Sequence, residues 1–326
     1  MPDARVLMDV RRARAHTGIT RVIDGWRREA ERDGRAVAFL DTDELGDASP
    51  RPWEPAAIAR SARRHEATLF HALYPLVALT PRVPSLLTLY DTLQLDRGPL
   101  RGRAAGAVLR RNVRLSGGVL TISEYSRGAI SRRLGVDPAL ITVAHPGIEL
   151  PPTAEPSPGR YLLYIGNAKE HKHVEQLVRW APSVLAAHEL SLVAVVPREA
   201  AEGLSPASND EHVYLRHGVD DGELARLQAG AVAYVSLADG EGFGLPPLEC
   251  AARGVPSVLL DGGAHREVMG DGATYCTLDR DDLATAVSTL VHDRARYAER
   301  ALARAEVFSW SRSWSQVRAA YDRLAT

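Results

Sequence analysis

The stretch Tyr234–Pro256, Y-V-S-L-A-D-G-E-G-F-G-L-P-P-L-E-C-A-A-R-G-V-P, decides how the rest of the chain is read. An apolar run, Ala231 to Leu237, meets an acid set among glycines, Gly240-Glu241-Gly242-Phe243-Gly244; two prolines and a second acid, Glu249, then open a helix-like segment. Strand, glycine turn and helix start are the parts of a phosphate-binding corner, because free backbone N–H groups and the helix dipole both face the turn. Here two carboxylates are added. Glu241 and Glu249 are separated by seven residues, which predicts one on the turn and the other in the first helical turn. Amides that grip anionic phosphate and carboxylates that accept from neutral hydroxyls are together what a nucleotide-sugar needs. Glu249 also has a simpler reading, since an acid in a first helical turn is favoured by the dipole by about 0.3–1 kcal/mol. Glu241 gains nothing structurally from a glycine turn.

Working outward, 326 residues allow two domains, each with its own core. A net charge of -1 argues against a nucleic-acid protein, which usually carries a basic excess. No apolar run reaches the length of a membrane span, and Met1 to Arg14 is too charged for a signal peptide. A cytoplasmic location is expected, with peripheral association at the inner face of the membrane left open. Two cysteines, Cys250 and Cys276, give neither a disulfide framework nor a metal cluster and read as buried free thiols. Basic residues are almost all arginine. The two lysines, Lys169 and Lys172, lie three apart in one loop. An arginine and alanine excess suggests a G+C-rich genome, which tends to replace any lysine that need not be one. A solvated loop is the plain alternative to a compact ammonium placed on a phosphate.

The first half alternates apolar runs with helical segments. Strands are expected at Arg5 to Val10, Ala36 to Leu40, Thr68 to His71, Ser85 to Tyr90, Gly118 to Ile122 and Ile141 to Val143. Thr17-Gly18-Ile19-Thr20-Arg21 is followed by a helical segment through about Arg32, and further helices are expected around Arg103 to Arg114 and after Ser123, which reads as a cap. His71 and Asp91 fall at the ends of apolar runs, where open parallel sheets place ligands. Asp41-Thr42-Asp43 looks like the metal clamp of one class of sugar transferases, but such pairs are common in polar loops. Pro151 to Gly159 has four prolines in nine residues and reads as a linker. Beyond it, strands are expected at Tyr161 to Ile165, Leu192 to Val196, Val213 to Arg216 and Ser257 to Leu260. Helices are expected at Asp220 to Ala229, Asp281 to Val291 and Ser313 to Leu324; the last carries Trp314, Val317 and Tyr321 at helical spacing. Alternating strands and helices on both sides of a proline-rich joint predict an α/β protein of two open parallel-sheet domains.

The nonapeptide from Glu241 to Glu249, followed by Ala251, Gly254 and Pro256, resembles the E-x7-E signature of retaining glycosyltransferases of family 4, which have the GT-B fold. Lesser matches are Gly18-Ile19 with Arg21, Ile122-Ser123-Glu124-Tyr125-Ser126, Gly166 with Lys172, and the tail from Phe308 to Tyr321. The resemblance implies two Rossmann-like domains facing across a cleft: 1–152 for the acceptor, 160–308 for the nucleotide-sugar, and 309–326 as a helix returning to the first domain. It implies Glu241 and Lys172 as the catalytic pair. Gly18, Gly166, Lys172, Gly218, Glu241, Gly242, Phe243, Gly244, Leu245 and Glu249 would bind the donor, and His71, Tyr90 and Asp91 the acceptor. Lys172 would contact the diphosphate, Glu249 the ribose hydroxyls, and Glu241 the sugar near its reacting carbon. No cofactor and no metal are expected, the co-substrate being a UDP-, GDP- or dTDP-sugar. The acceptor would be a glycan, a lipid-linked sugar or a small natural product.

Three departures from the family pattern stand out. Tyr90-Asp91 replaces a common His-Asp, Asn167 lies where an arginine often precedes the lysine, and Val235-Ser236 replaces a common Pro-Ser. Other readings are a catalytically weak nucleotide-sugar-binding partner subunit and a GT-B epimerase. A NAD-dependent oxidoreductase is a further alternative, because Gly240-x-Gly242-x-Gly244 with Asp261 downstream mimics a dinucleotide fingerprint, although an acid sits where pyrophosphate should lie.

Overall fold

A computed structural model of the chain describes residues 5–11, 18–45, 54–75, 83–96, 98–149, 154–204 and 212–325. It divides into two compact units, Met1–Gly147 together with Ser309–Thr326, and Ile148–Phe308.

In the first unit the strands are β1 (Val6–Asp9), β2 (Val37–Leu40), β3 (Leu69–Ala72), β4 (Ser85–Thr88), β5 (Gly118–Thr121) and β6 (Ile141–Val143). They form one parallel sheet in the order β2-β1-β3-β4-β5-β6. Their apolar runs are continuous rather than alternating, as a sheet covered on both faces requires. The covering helices are α1 (Gly18–Asp33), the short α2 (Thr42–Leu45), α3 (Glu54–Arg64), α4 (Pro99–Leu115) and α5 (Glu124–Leu134). Ser123 caps α5, its hydroxyl accepting from the amide of Ser126 at 3.0 Å.

The second unit repeats the architecture. Its strands are β7 (Tyr161–Ile165), β8 (Ser191–Val195), β9 (Val213–Arg216), β10 (Ala233–Ser236), β11 (Ser257–Leu260) and β12 (Ala273–Cys276). All pair in parallel, in the order β12-β11-β10-β7-β8-β9. The helices are α6 (Val174–Leu185), α7 (Arg198–Leu204), α8 (Asp221–Gly230), α9 (Leu245–Ala251), α10 (His265–Met269), α11 (Arg280–His292) and α12 (Arg294–Ala305). Both cysteines are free and buried here, and burial pushes each thiol up to about 12.

The chain passes from the first unit to the second at Gly147–Ile148 and back at Phe308–Ser309. The proline-rich stretch follows the first passage. Of it, 151–153 lie outside the described residues, and Ser157 packs with the second unit, its amide donating to the carbonyl of Arg226 at 3.0 Å. The last helix, α13 (Trp310–Ala325), belongs to the first unit and buries Trp310, Trp314, Val317 and Tyr321. Gly147 lies against its start so closely that a Cβ would come within 2.1 Å of the Trp310 backbone nitrogen. Among the described residues no helix is long and apolar enough to cross a membrane.

Candidate active site

Order in the second sheet selects a place for chemistry. β7 has the next strand in sequence, β8, on one side and β10 on the other, so successive crossovers leave it in opposite directions. The C-terminal ends of β7 and β10 thus lie at the switch point of the sheet, the usual ligand position in open parallel sheets. The two-lysine loop follows β7, and the glycine turn follows β10.

The β7 loop is built from short internal bonds. The Tyr164 hydroxyl donates to the Asn167 carbonyl at 2.8 Å, and the Asn167 side chain accepts from the Lys169 amide at 3.2 Å. A single 3-10 turn, Glu170–Lys172, ends at His173, a non-glycine residue with a φ of 47° that also opens α6. Lys169 stays exposed, as a solvated-loop residue would. Lys172 is half-buried and its ammonium forms an ion pair with the Glu241 carboxylate.

Two further bonds lock the turns together. The Asp239 amide donates to the His171 carbonyl at 2.7 Å, joining the β10 loop to the β7 loop. The Glu241 carbonyl accepts from the Ala264 amide at 3.0 Å, joining it to the turn after β11. That second contact needs Gly263, whose φ is +59° and whose Cβ, if present, would lie 2.7 Å from the Glu241 nitrogen. His265 lies beneath the assembly, 1 % exposed, with Nδ1 2.9 Å from the Leu260 carbonyl. Burial lowers its pKa, the carbonyl opposes that, and the charge of Lys172 adds to the lowering. His265 is thereby held neutral beside a cation.

Gly244, with a φ of +97°, leads into α9, where Pro246 and Pro247 occupy the second and third helical positions. Proline is tolerated there because first-turn N–H groups have no intrahelical acceptor. It also means that the amide donors of this corner come from the turn before the prolines. Phe243 is buried edge-on against Phe308 at 5.5 Å, which anchors the turn from below.

Glu249 departs from its expected place. α9 begins at Leu245, ahead of both prolines, so Glu249 lies in the second turn, and the first turn holds no acid. The dipole explanation for this carboxylate therefore falls away. Its Oε2 accepts from Gln228 Nε2 at 3.2 Å, and Gln228 Oε1 accepts from Arg253 at 3.3 Å.

The remaining expected residues divide. Gly166 follows β7, its amide donating to the Val195 carbonyl at 3.1 Å, and Gly218 sits in a bend after β9 with a φ of +68°. Gly18 is the exposed first residue of α1 in the other unit. His71 was expected at the end of a strand facing an acceptor. The strand continues to Ala72, and His71 is fully buried within it, Nδ1 2.7 Å from the Tyr321 hydroxyl and Nε2 2.7 Å from Thr88 Oγ1. Both ring nitrogens are used to tie α13 to the sheet, which corrects the acceptor-binding expectation. Asp91 caps a turn, accepting from the Leu93 amide at 3.0 Å. Tyr90 is 7 % exposed, and its hydroxyl is buried without a hydrogen-bond partner among the described residues. Asp41, the first acid of the D-x-D, accepts from the amides of Asp43 and Glu44 at 3.1 Å and serves as a cap. Among the described residues no group of three His, Cys, Asp or Glu could hold a metal ion.

The glycine turn follows β10, the fourth strand of its sheet, whereas a dinucleotide fingerprint occupies the turn after the first. The oxidoreductase alternative loses its motif on this placement. Two family models cover most of the chain: residues 15–151 match Glycosyltransferase Family 4, and residues 159–293 match Glycosyl transferases group 1. The chain belongs to the GT4 glycosyltransferases.

This GT4 glycosyltransferase is 27% identical over 233 residues to D-inositol 3-phosphate glycosyltransferase 2 of Catenulispora acidiphila, covering 62% of this chain and 55% of that protein. It is 28% identical over 181 residues to the phosphatidyl-myo-inositol mannosyltransferase of Mycobacterium leprae, covering 52% and 48%. The chain thus spans about half the length of the curated relatives it matches. Solved structures agree over nearly the whole chain. The glycosyltransferase of Rickettsia africae ESF-5 superimposes with a TM-score of 0.77 at 12% identity, covering 100% of both chains. Sucrose-phosphate synthase of Thermosynechococcus elongatus gives 0.80 at 16%, covering 98% of both. Anabaena Alr3699/HepE in complex with UDP and glucose gives 0.73 at 15%, covering 98% of this chain and 100% of that one. At these identities the likeness shows the fold, which is GT-B.

Proposed function

We propose that this protein transfers a sugar from a nucleotide-sugar to an acceptor hydroxyl, with retention of configuration and without a metal ion. The observation that carries the reading is the Lys172–Glu241 ion pair at the switch point of the second sheet. A diphosphate arriving there competes with Glu241 for the ammonium. Lys172 moves to the phosphate, and the freed carboxylate accepts from sugar hydroxyls near the reacting carbon. In the reaction the bond from anomeric carbon to diphosphate oxygen breaks, and the acceptor oxygen bonds to the same carbon from the same face. The acceptor proton ends on the leaving phosphate. Charge accumulates on that phosphate, and Lys172 with the amides of Phe243 to Leu245 stabilises it electrostatically. Glu249, braced by Gln228, is the ribose ligand of this scheme. The acceptor, a glycan, a lipid-linked sugar or a small natural product, is assigned to the first unit.

A thermal-shift screen of UDP-, GDP- and dTDP-sugars identifies the donor, since a ligand at 100 times its Kd stabilises the folded state by about 2.7 kcal/mol. With that donor, Lys172→Ala and Glu241→Ala should each lower transfer on the order of 10²-fold or more. Full transfer by either variant would sink the site assignment. Donor binding with no turnover over a broad acceptor panel would instead support the weak partner-subunit reading. Conversion of the sugar-nucleotide without acceptor would point to an epimerase.

A further inference from the structure

Three polar side chains of the second unit stand in a row. Arg253 Nε donates to Gln228 Oε1 at 3.3 Å, and Gln228 Nε2 donates to Glu249 Oε2 at 3.2 Å. Gln228 is 5 % exposed and, with Leu227, is one of the two buried residues of α8. An amide buried there costs stability unless both of its ends are bonded. Both are, and the chemistry of the neighbours fixes its direction. The Arg253 Nε–H only donates and an ionised Glu249 only accepts, so the amide turns its oxygen to the arginine and its NH2 to the carboxylate. The arginine charge also polarises the amide and strengthens the bond it donates to Glu249.

The backbone around this row is pinned. Two bonds hold the turn of α8 that carries Gln228: the Ser157 amide donates to the Arg226 carbonyl at 3.0 Å, and the Tyr161 hydroxyl donates to the Leu227 carbonyl at 2.8 Å. Arg253 follows α9, its amide donating to the Cys250 carbonyl at 2.9 Å, and the Cys250 side chain beside Glu249 is buried. Glu249 itself is half-buried, so solvent and solutes reach it. A carboxylate has about four lone-pair sites. The bond from Gln228 therefore sets its plane and leaves it able to accept from a ligand.

We propose that Gln228, backed by Arg253, is a positioning residue that presets the Glu249 carboxylate for two adjacent hydroxyls, and so selects a ribonucleoside donor over a 2′-deoxyribonucleoside one. The inference rests on the glycosyl-transfer reading, in which Glu249 is the ribose ligand. A carboxylate held in one plane accepts from both hydroxyls of a ribose at once. A 2′-deoxy sugar brings one of them and leaves the oriented oxygen without its donor. UDP- and GDP-sugars carry the pair of hydroxyls; dTDP-sugars do not.

Isothermal titration calorimetry of the full chain with UDP, GDP and their 2′-deoxy counterparts reads this selection without acceptor or turnover. For the base that binds, the ribose form should bind roughly 30-fold more tightly, as expected for one hydrogen bond to a charged group. Gln228→Met keeps the length of the side chain and removes the amide. It should bring the two forms to within about 3-fold of each other by weakening the ribose form alone, with Arg253→Gln falling between. A structural role for Gln228 would weaken both forms alike and leave their ratio unchanged. In turnover, Gln228→Met should raise the donor KM roughly 10-fold and leave kcat within about 2-fold, because the ribose is held equally in ground and transition states. Equal binding of the two forms by the wild-type chain overturns the proposal whether or not the variants fold, and so does a ratio that survives Gln228→Met. If sugar transfer proceeds while the wild-type chain binds both forms equally, the glycosyl-transfer reading stands and this inference alone falls. If no nucleoside diphosphate binds, both fall.

Discussion

Gly263 occupies a position that no L-residue fills without displacing Glu241. Its φ of +59° already disfavours a side chain, and a Cβ would come 2.7 Å from the Glu241 nitrogen and 2.8 Å from its carbonyl oxygen. Gly263→Ala should therefore push the β10 turn away from the turn after β11 and pull the carboxylate off Lys172. Transfer should fall on the order of 10²-fold, while stability drops by only about 1–3 kcal/mol. Steady-state kinetics and urea melts separate the two, and an equal loss in a random surface Gly→Ala control would remove the special role. Lys172 and Glu241 were legible in the sequence because each is chemically out of place, a lysine among arginines and an acid among glycines. Gly263 and His265 were not. Their importance depends on β11 lying next to β10, so that the D-G-G turn touches Glu241, and adjacency of strands leaves no mark on local composition.

At the scale of elements, apolar runs located every described strand except β12 to within a residue or two, since parallel strands buried on both faces cannot be polar; the short A-T-Y-C of β12 was not read as a strand. Loops were harder to read, because their conformation is set by partners far away in sequence. The segment after β1 is the sharpest case. Asp9, Arg11 and Glu54 are 1 %, 3 % and 0 % exposed, and Arg11 bonds both oxygens of Asp9 at 2.8 and 2.7 Å and Glu54 Oε1 at 3.0 Å. Burial pulls the guanidinium pKa down, but the hydrogen bonds and charges of Asp9 and Glu54 outweigh it and raise the pKa. The arrangement joins the end of β1 to the start of α3 at the switch point of the first sheet, where β1 has β2 on one side and β3 on the other. Arg11→Met would leave two carboxylates buried together, and unfolding in urea should show a loss of about 3–5 kcal/mol. Arg11→Lys should recover little of it, because a single ammonium cannot reproduce the forked bonding to Asp9 and reach Glu54 as well. Recovery to near wild-type stability by lysine would mean that charge alone, not geometry, holds this loop.

At the scale of the whole molecule, two parallel sheets followed from the alternating pattern, but which segments complete each unit did not. Trp314, Val317 and Tyr321 announced an amphipathic last helix; its return to the first unit was implied by the family resemblance rather than by the pattern, and α13 does belong to that unit. It is held there by polar as well as apolar contacts: Trp26 Nε1 donates to Ser313 Oγ at 2.8 Å, and His71 joins Tyr321 to Thr88. Burial lowers the His71 pKa from its ordinary 6.5 to about 3. The unfolded chain therefore takes up a proton below about pH 6.5 that the folded chain refuses until near pH 3. Stability contributed by the neutral ring is complete above that upper limit and is lost as pH falls through the window, by at most about 1.4 kcal/mol per pH unit. Replacing the ring by a non-titrating amide, His71→Gln, should lower stability at pH 7 and flatten its decline between pH 6.5 and 4. Comparing urea midpoints of wild type and variant across that range isolates the contribution, because every other titrating group is shared. Two parallel curves would mean that His71 gains a proton without loosening α13, and the helix would then have to be held by its tryptophans alone.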